Sequence, residues 1–148
     1  HAAASGLRID YRQMTPEDMA ERHPSRFDVV VCMELLEHVP EPRSVIHACR
    51  VLAKPGGDIF FSTLNRNPQS FLFAIIGAER ILRLLPVGSH TYSRFVKPRE
   101  LRAWAGQSGL TTIHQIGLHY NPFSRRYSLG GNLNVNYMMH CRKNGPPV

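Results

Sequence analysis

Glu34, Glu37 and His38 stand close together in the run Met33 to Val39, MELLEHV. If the run coils, their spacing is i, i+3 and i+4, and side chains at those offsets converge on one helical face. Two carboxylates beside an imidazole make an oxygen-and-nitrogen set suited to a divalent cation. The same groups can do proton chemistry, since a carboxylate or imidazole within reach of a hydroxyl can accept its proton. These residue types also cap turns and hold loops through hydrogen bonds. Spacing within one short turn leaves metal binding, proton transfer and loop bracing all open.

A strand must present this run. Phe27 to Met33, FDVVVCM, is continuously apolar after Asp28, which suits a strand buried on both faces of a parallel sheet. Ligands of open α/β sheets bind beyond the carboxyl ends of the strands, so Met33 and Glu34 belong at the mouth of a site. Pro42 to Ala53 carries Val45, Ile46, Ala48, Cys49, Val51 and Leu52 at the spacing of a helix packed on a sheet. Lys54-Pro55-Gly56-Gly57 is expected to end that helix and turn the chain, with Asp58 to Leu64 as the next strand. Upstream, Leu7 to Gln13 alternates partly and reads as a short strand. Thr15 before Pro16, Glu17 and Asp18 reads as a helix start, with the helix over by about Pro24. Downstream, Pro98 to Ser108 is an amphipathic helix closed by Gly109. Leu110 to Tyr120 and Asn134 to Arg142 read as two strands paired as an antiparallel hairpin across the turn-rich NPFSRRYSLGGN. The alternation predicts an α/β sheet with helices on both faces, ended by an antiparallel pair as in many mixed sheets.

Asn65 to Gly88 is different in kind. Phe71 to Ala78 carries no charge, and Ile81, Leu82, Leu84 and Leu85 continue an apolar stripe between Glu79, Arg80 and Arg83. A core helix is the ordinary reading of such a stripe. Phe71, Leu72, Phe73, Ile75 and Ile76, however, wrap more of a helix than one sheet face can bury. Residues 66–90 therefore also read as an apolar lid or membrane-facing insertion. A helix from Phe71 to Leu85 rises only about 22 Å, too short to span a bilayer, so contact through 70–85 would lie in the lipid interface.

The 148 residues suffice for one domain, and 43% apolar content excludes a disordered chain. A formal charge of +7 suggests an anionic partner. No Lys/Arg block of five occurs and the aromatics do not interleave with basic residues, so nucleic acid is not the expected partner. Cys32, Cys49 and Cys141 are odd in number, widely spaced and without a CxxC pair. They read as buried, reduced thiols of a cytoplasmic protein rather than a disulfide framework or zinc site. No run reaches the length of a membrane span. The first residue is His, no signal-peptide pattern follows, and the chain reads as a processed, truncated or fragmentary product.

The strings EHVPEP and RVLAKPGGDIFFST resemble the class I S-adenosylmethionine-dependent methyltransferases. The longer string CMELLEHVPEP, with STLNRN, GAERIL, GLHYNP and VNYM, resembles a narrower group, the ubiquinone-biosynthesis O-methyltransferases, from about Leu7 to Arg142. That resemblance implies methyl transfer from S-adenosylmethionine to a phenolic or catecholic hydroxyl on a polyprenylated ring. It places Met33 at a donor-binding position and Glu34, Glu37 and His38 at positions assigned to magnesium. Catalytic roles follow for His38 and Glu34, as metal ligand or base. Gln13, at the end of the first expected strand, is a candidate for the donor's adenine end by fold analogy. His119, Tyr120, Asn121, Asn134, Asn136 and Tyr137 fall near the family's acceptor pocket. The same resemblance implies a cytoplasmic protein, peripheral at the inner face of the membrane, with other ubiquinone-biosynthesis proteins as potential partners.

The class I sheet runs 3-2-1-4-5-7-6, and this chain supplies candidates for strands 3, 4, 5, 6 and 7. No Asp-x-Gly-x-Gly-x-Gly donor loop and no ribose-binding acid precede Phe27. The expected domain, 1–148, is therefore the C-terminal part of an incomplete Rossmann-like fold lacking strands 1 and 2. Its first strand should be mobile or pair directly against the Phe27 strand, and alone it should neither bind the donor tightly nor turn over. Two other readings remain: a generic small-molecule class I methyltransferase, and a non-catalytic membrane-surface module.

Overall fold

A computed structural model describes residues 5–71, 92–121, 124 and 126–145. Five strands, β1 (Phe27–Met33), β2 (Ala53–Leu64), β3 (Leu110–Asn121), β4 (Arg126–Leu129) and β5 (Asn136–Lys143), form one sheet in the order β1-β2-β5-β3-β4. β1 and β2 run parallel, joined by helix α2 (Pro42–Leu52). β5 inserts antiparallel between β2 and β3, and β4 folds back on β3 as the far edge. The first four strands in spatial order reproduce the expected 4-5-7-6 run.

Local chemistry starts each helix where the residue types demand. In α1 (Pro16–Arg22), Thr15 Oγ1 accepts from the Asp18 amide at 3.1 Å and Pro16 occupies the first turn, where its missing N–H is no loss. In α2, Glu41 accepts from the Arg43 amide at 3.3 Å, and Val45, Ile46, Ala48, Cys49 and Leu52 form the buried stripe. Helix α4 (Pro98–Gln107) begins where Glu100 accepts from the Lys97 amide at 3.0 Å, and Gly109 follows its end with φ +77°, the left-handed conformation a glycine enters without a Cβ clash. Ser44 donates to Glu17 at 2.7 Å and ties α2 to α1. A short helix, α3, starts at Pro68–Ser70. The expected lid, 66–90, falls mostly outside the described residues.

The core lies between the sheet and α2 with α4. Cys32, Ile59, Phe61, Tyr137, Met139 and Cys141 face Leu36, Val45, Ile46, Cys49, Leu101 and Ala105, all buried. Alternate residues along a strand face opposite sides, so Val29, Val31 and Met33 take the other side and stay exposed. Among the described residues α2 and α4 share one face, and no α-helix lies over the other.

Two further expectations give way, and a third, the antiparallel pairing of the C-terminal strands, holds with an addition. Leu7 to Gln13 forms no strand and is exposed. Partial alternation cannot hold a strand that lacks a ladder; here Arg12 bonds Asp10 and His23 through its side chain. It does not pair with β1. Lys54 to Gly57 does not precede β2 but bulges within it: Phe27 registers with Ala53, and Val29 next with Asp58. Gly56 takes φ +76°, and a Cβ on Gly57 would meet Lys54 O at 2.9 Å and Asp28 O at 3.0 Å, so the bulge needs both glycines. Finally, the connection between the two expected C-terminal strands contains β4, so β3 pairs with β4 as well as with β5.

Candidate active site at the strand tips

Parallel pairing sets Met33 beside Ser62, so the carboxyl ends of β1 and β2 open at one edge. The chain leaves β1 through Glu34, which has φ +50°, a left-handed conformation that non-glycine residues rarely adopt outside constrained sites. Ser62 holds it there. The Glu34 amide donates to Ser62 O at 3.1 Å and to Ser62 Oγ at 3.2 Å, and Ser62 Oγ donates to Glu34 Oε1 at 2.5 Å. The chain then turns, with the His38 amide donating to Leu35 O at 2.9 Å. This turn carries Glu37 inward, where it is 3% exposed and Oε2 accepts from Thr63 Oγ1 at 2.7 Å.

Ser62 and Thr63 are consecutive in a strand and face opposite sides of the sheet. The two carboxylates are therefore anchored on opposite faces of β2. The expected helical turn, with Glu34, Glu37 and His38 on one face, does not form, because Glu34 leaves the strand left-handed. His38 is exposed on the same turn. Among the described residues no three His, Cys, Asp or Glu side chains group as metal ligands.

Met33 sits at the tip as expected, 39% exposed on the uncovered face. Gln13 is exposed in the segment ahead of α1, outside the sheet. His119 Nε2 bonds Gly130 O at 2.8 Å, Tyr120 packs on Tyr127 with ring centroids 4.8 Å apart, and Asn121 registers with Arg126. These three build the β3–β4 hairpin. Asn134 is bound through its carbonyl, which accepts from Asn67 Nδ2 at 2.5 Å. Tyr137 is a core residue: fully buried, it donates to Val96 O at 3.0 Å, and burial pushes its phenol well above the ordinary range. Asn136, one residue earlier, faces the other way. It registers with Leu64 on β2 and Leu118 on β3, at the strand-tip edge.

Residue types alone do not single out the pair that organises the site, Ser62 and Thr63. Its signal is two hydroxyl residues closing the apolar run Asp58 to Leu64, where purely apolar packing would call for none. The cysteines are free and buried, as expected. The hydrogen bond to Cys32 and then burial push the Cys49 thiol up, while burial raises Cys141 to about 11. The same hydrogen bond lowers the Cys32 thiol, but all three sulfurs are enclosed in the core and out of reach of a substrate.

Residues 2–115 match the family model described as a methyltransferase domain. A protein of Bordetella bronchiseptica named ubiquinone biosynthesis O-methyltransferase is 57% identical over 97% of this chain and 59% of its own length. One of the same name from Sodalis glossinidius is 54% identical over 97% of this chain and 57% of its own length. The chain thus spans under two thirds of these curated relatives. Among solved structures, a SAM-dependent methyltransferase from Thermotoga maritima superposes with a TM-score of 0.66 at 15% identity, covering 97% of this chain and 67% of the other.

Proposed function

The chain belongs to the methyltransferase-domain family and carries the class I fold of S-adenosylmethionine-dependent enzymes; from that premise we propose that it serves O-methylation in ubiquinone biosynthesis. The acceptor is a phenolic or catecholic hydroxyl on a polyprenylated ring. The observation that carries the proposal is the braced tip of β1, where Met33 and Glu34 are presented beside Ser62, in a chain 57% identical to a ubiquinone biosynthesis O-methyltransferase.

S-adenosylmethionine, when bound, supplies an electrophilic methyl group. Met33 offers it an exposed thioether side chain at the strand tip, and alignment of methyl and oxygen is the protein's main contribution to such a displacement. A phenol titrates near about 10, so the acceptor hydroxyl needs a proton acceptor at neutral pH. His38, exposed on the turn that follows Glu34, takes that proton. Glu34, locked to Ser62, holds the turn that carries His38. The residues do not fit a three-ligand magnesium site: Glu34 and Glu37 would each have to give up an anchoring hydrogen bond on opposite sides of β2. Gln13, outside the sheet, supports no more than a contact at the far end of the donor.

The polyprenylated acceptor lies in a membrane, and the protein meets that membrane peripherally, from the cytoplasmic side, through 70–85. Support comes from composition: 71–78 is free of charge and Arg80 and Arg83 flank it. No helix among the described residues is long and apolar enough to cross a bilayer. Access to such an acceptor also makes other ubiquinone-biosynthesis proteins candidate neighbours.

The test is a fusion of this chain to the part of the Bordetella relative that it does not cover. Given donor and a prenylated catechol, the fusion should form a methyl ether, and His38→Ala should lower the rate by about 100-fold, the usual scale of general-base catalysis. A folded fusion that forms no ether overturns the proposal. The 148-residue chain alone should bind donor more weakly than micromolar by calorimetry.

A further inference from the structure

Asn136 Oδ1 is buried and has no hydrogen-bond partner. A buried amide oxygen without a donor is uncommon in a folded protein and calls for a reason. Its backbone, by contrast, is firmly braced. The Asn65 amide donates to Val135 O at 2.8 Å, Asn65 Nδ2 to Leu133 O at 2.7 Å, and Asn67 Nδ2 to Asn134 O at 2.5 Å. Three bonds from the exit of β2 thus fix the three residues before Asn136.

The sheet register says what this oxygen adjoins. Because Tyr137 faces α2 and α4, Asn136 faces the opposite side of the sheet. Along that side one row runs Met33, Ser62, Met138, Ile116, and the next runs Leu64, Asn136, Leu118, Leu129. Asn136 is therefore diagonal to Ser62, at about 7–8 Å between backbones, and Ser62 is the residue that holds Glu34. On its other flank the row continues into Leu118 and Leu129, and the row beyond into Tyr120 and Tyr127. Leu129 and Tyr127 are 57% and 70% exposed. An orphan acceptor thus stands between the strand-tip chemistry and an exposed apolar strip without a charged side chain.

We infer that Asn136 positions the acceptor ring, with its amide oxygen taking a hydrogen bond from the hydroxyl that is not methylated, and that Leu118, Leu129, Tyr120 and Tyr127 carry the apolar tail. This rests on the proposed acceptor, a catechol with a prenyl chain. The side chain is partly exposed, so a turn of the amide brings its oxygen to the ring. The head of the ligand needs a polar anchor and the tail does not, which is the order in which the sheet presents them.

Two probes separate the roles: catechol itself and farnesyl-catechol, each titrated calorimetrically into the 148-residue chain. Asn136→Leu should weaken both by about 10-fold, the scale of one hydrogen bond to a buried group. Tyr127→Ala should weaken only the farnesylated probe, by about 3- to 10-fold. Both variants should melt with the parent. Equal affinity of Asn136→Leu and parent for both probes overturns the inference, as does failure of the parent to bind either. Should Asn136→Leu not fold, the parent's Asn136 side-chain amide resonance must shift on adding catechol; an unmoved resonance overturns the assignment. Methyl transfer by the fusion with KM untouched by Asn136→Leu would sink this inference and leave the proposed function standing. Asn136-dependent binding without any ether from the fusion would do the reverse.

Discussion

The two faces of one sheet are built from the same strands and have opposite characters. On the helix side, Ile59, Phe61, Tyr137, Met139 and Cys141 are wholly buried. On the other side, their immediate neighbours are a mixture: Val29 and Val31 bare to solvent, Phe60 stacked on His140 at 4.6 Å, and Asp58 bonded to both His140 and Arg142. Burial stabilises in proportion to apolar area removed from water, so stability concentrates on the helix side. The exposed strand-tip groups Met33 and Glu34 and the partly exposed Asn136 belong to the other, braced there by the buried Ser62. A side chain already enclosed by its own fold has no surface left for a ligand. The face that stabilises least is the one left to bind.

The sharpest way to break this contrast is to truncate one residue from each face. Phe61→Ala should cost about 3–5 kcal/mol, the loss for a buried aromatic plus the cavity it leaves. Val31→Ala, on the neighbouring strand but 61% exposed, should stay within about 0.5 kcal/mol. Denaturant midpoints at constant slope measure both. Comparable losses would mean that the second face is packed in solution and that the asymmetry is not a property of the folded protein.

A smaller effect probes the seam between the faces. Thr63→Val keeps volume but removes the donor to Glu37 Oε2. Removing a partner of a buried carboxylate costs about 1–3 kcal/mol. Ser62→Ala, which removes the donor to the exposed Glu34, should cost less and act instead on the turn that carries His38. If the two substitutions destabilise equally, Glu34 and Glu37 are not divided between faces as their partners indicate.

How much of this could be read from residue order depends on the range of the interaction. The helix start at Thr15 and the stop at Gly109 were legible because caps and left-handed glycines act within a few residues. The order of β1, β2, β5 and β3 was legible because their motifs are those of a family whose sheet order is known. Leu7 to Gln13 failed as a strand because a ladder needs a neighbour that alternation cannot supply. The Lys54 to Gly57 bulge reads as a turn because Pro-Gly-Gly has the same local signature whether the chain reverses or merely loops out of a continuing strand. β4 was missed because four exposed residues, Arg126 to Leu129, carry no burial pattern. The separation of Glu34 from Glu37 was invisible because it follows from a left-handed glutamate, which no residue-type rule announces. Asn136 fell among several polar residues near the hairpin. Only the three-dimensional register distinguishes its orphan oxygen from the bonded Asn134 carbonyl.

The smallest effect lies on the exposed face and concerns pH. Hydrogen bonds from His140 and then Arg142 hold the Asp58 carboxyl below the ordinary carboxylate range. A group whose folded value is depressed stabilises the fold above its unfolded value, about 3.9 for Asp, and loses that contribution as pH falls through the lower folded value. Parent stability should therefore decline as the solution is acidified below about pH 4, and Asp58→Asn should remove that part of the decline while leaving neutral-pH stability slightly lower. Because the carboxylate lies at the surface, 1 M salt should erase most of the difference between parent and variant. Melting temperatures of both proteins across that range at low and high salt decide the matter. A salt-insensitive difference would mean that the Asp58 cluster is enclosed and that the open face is covered there.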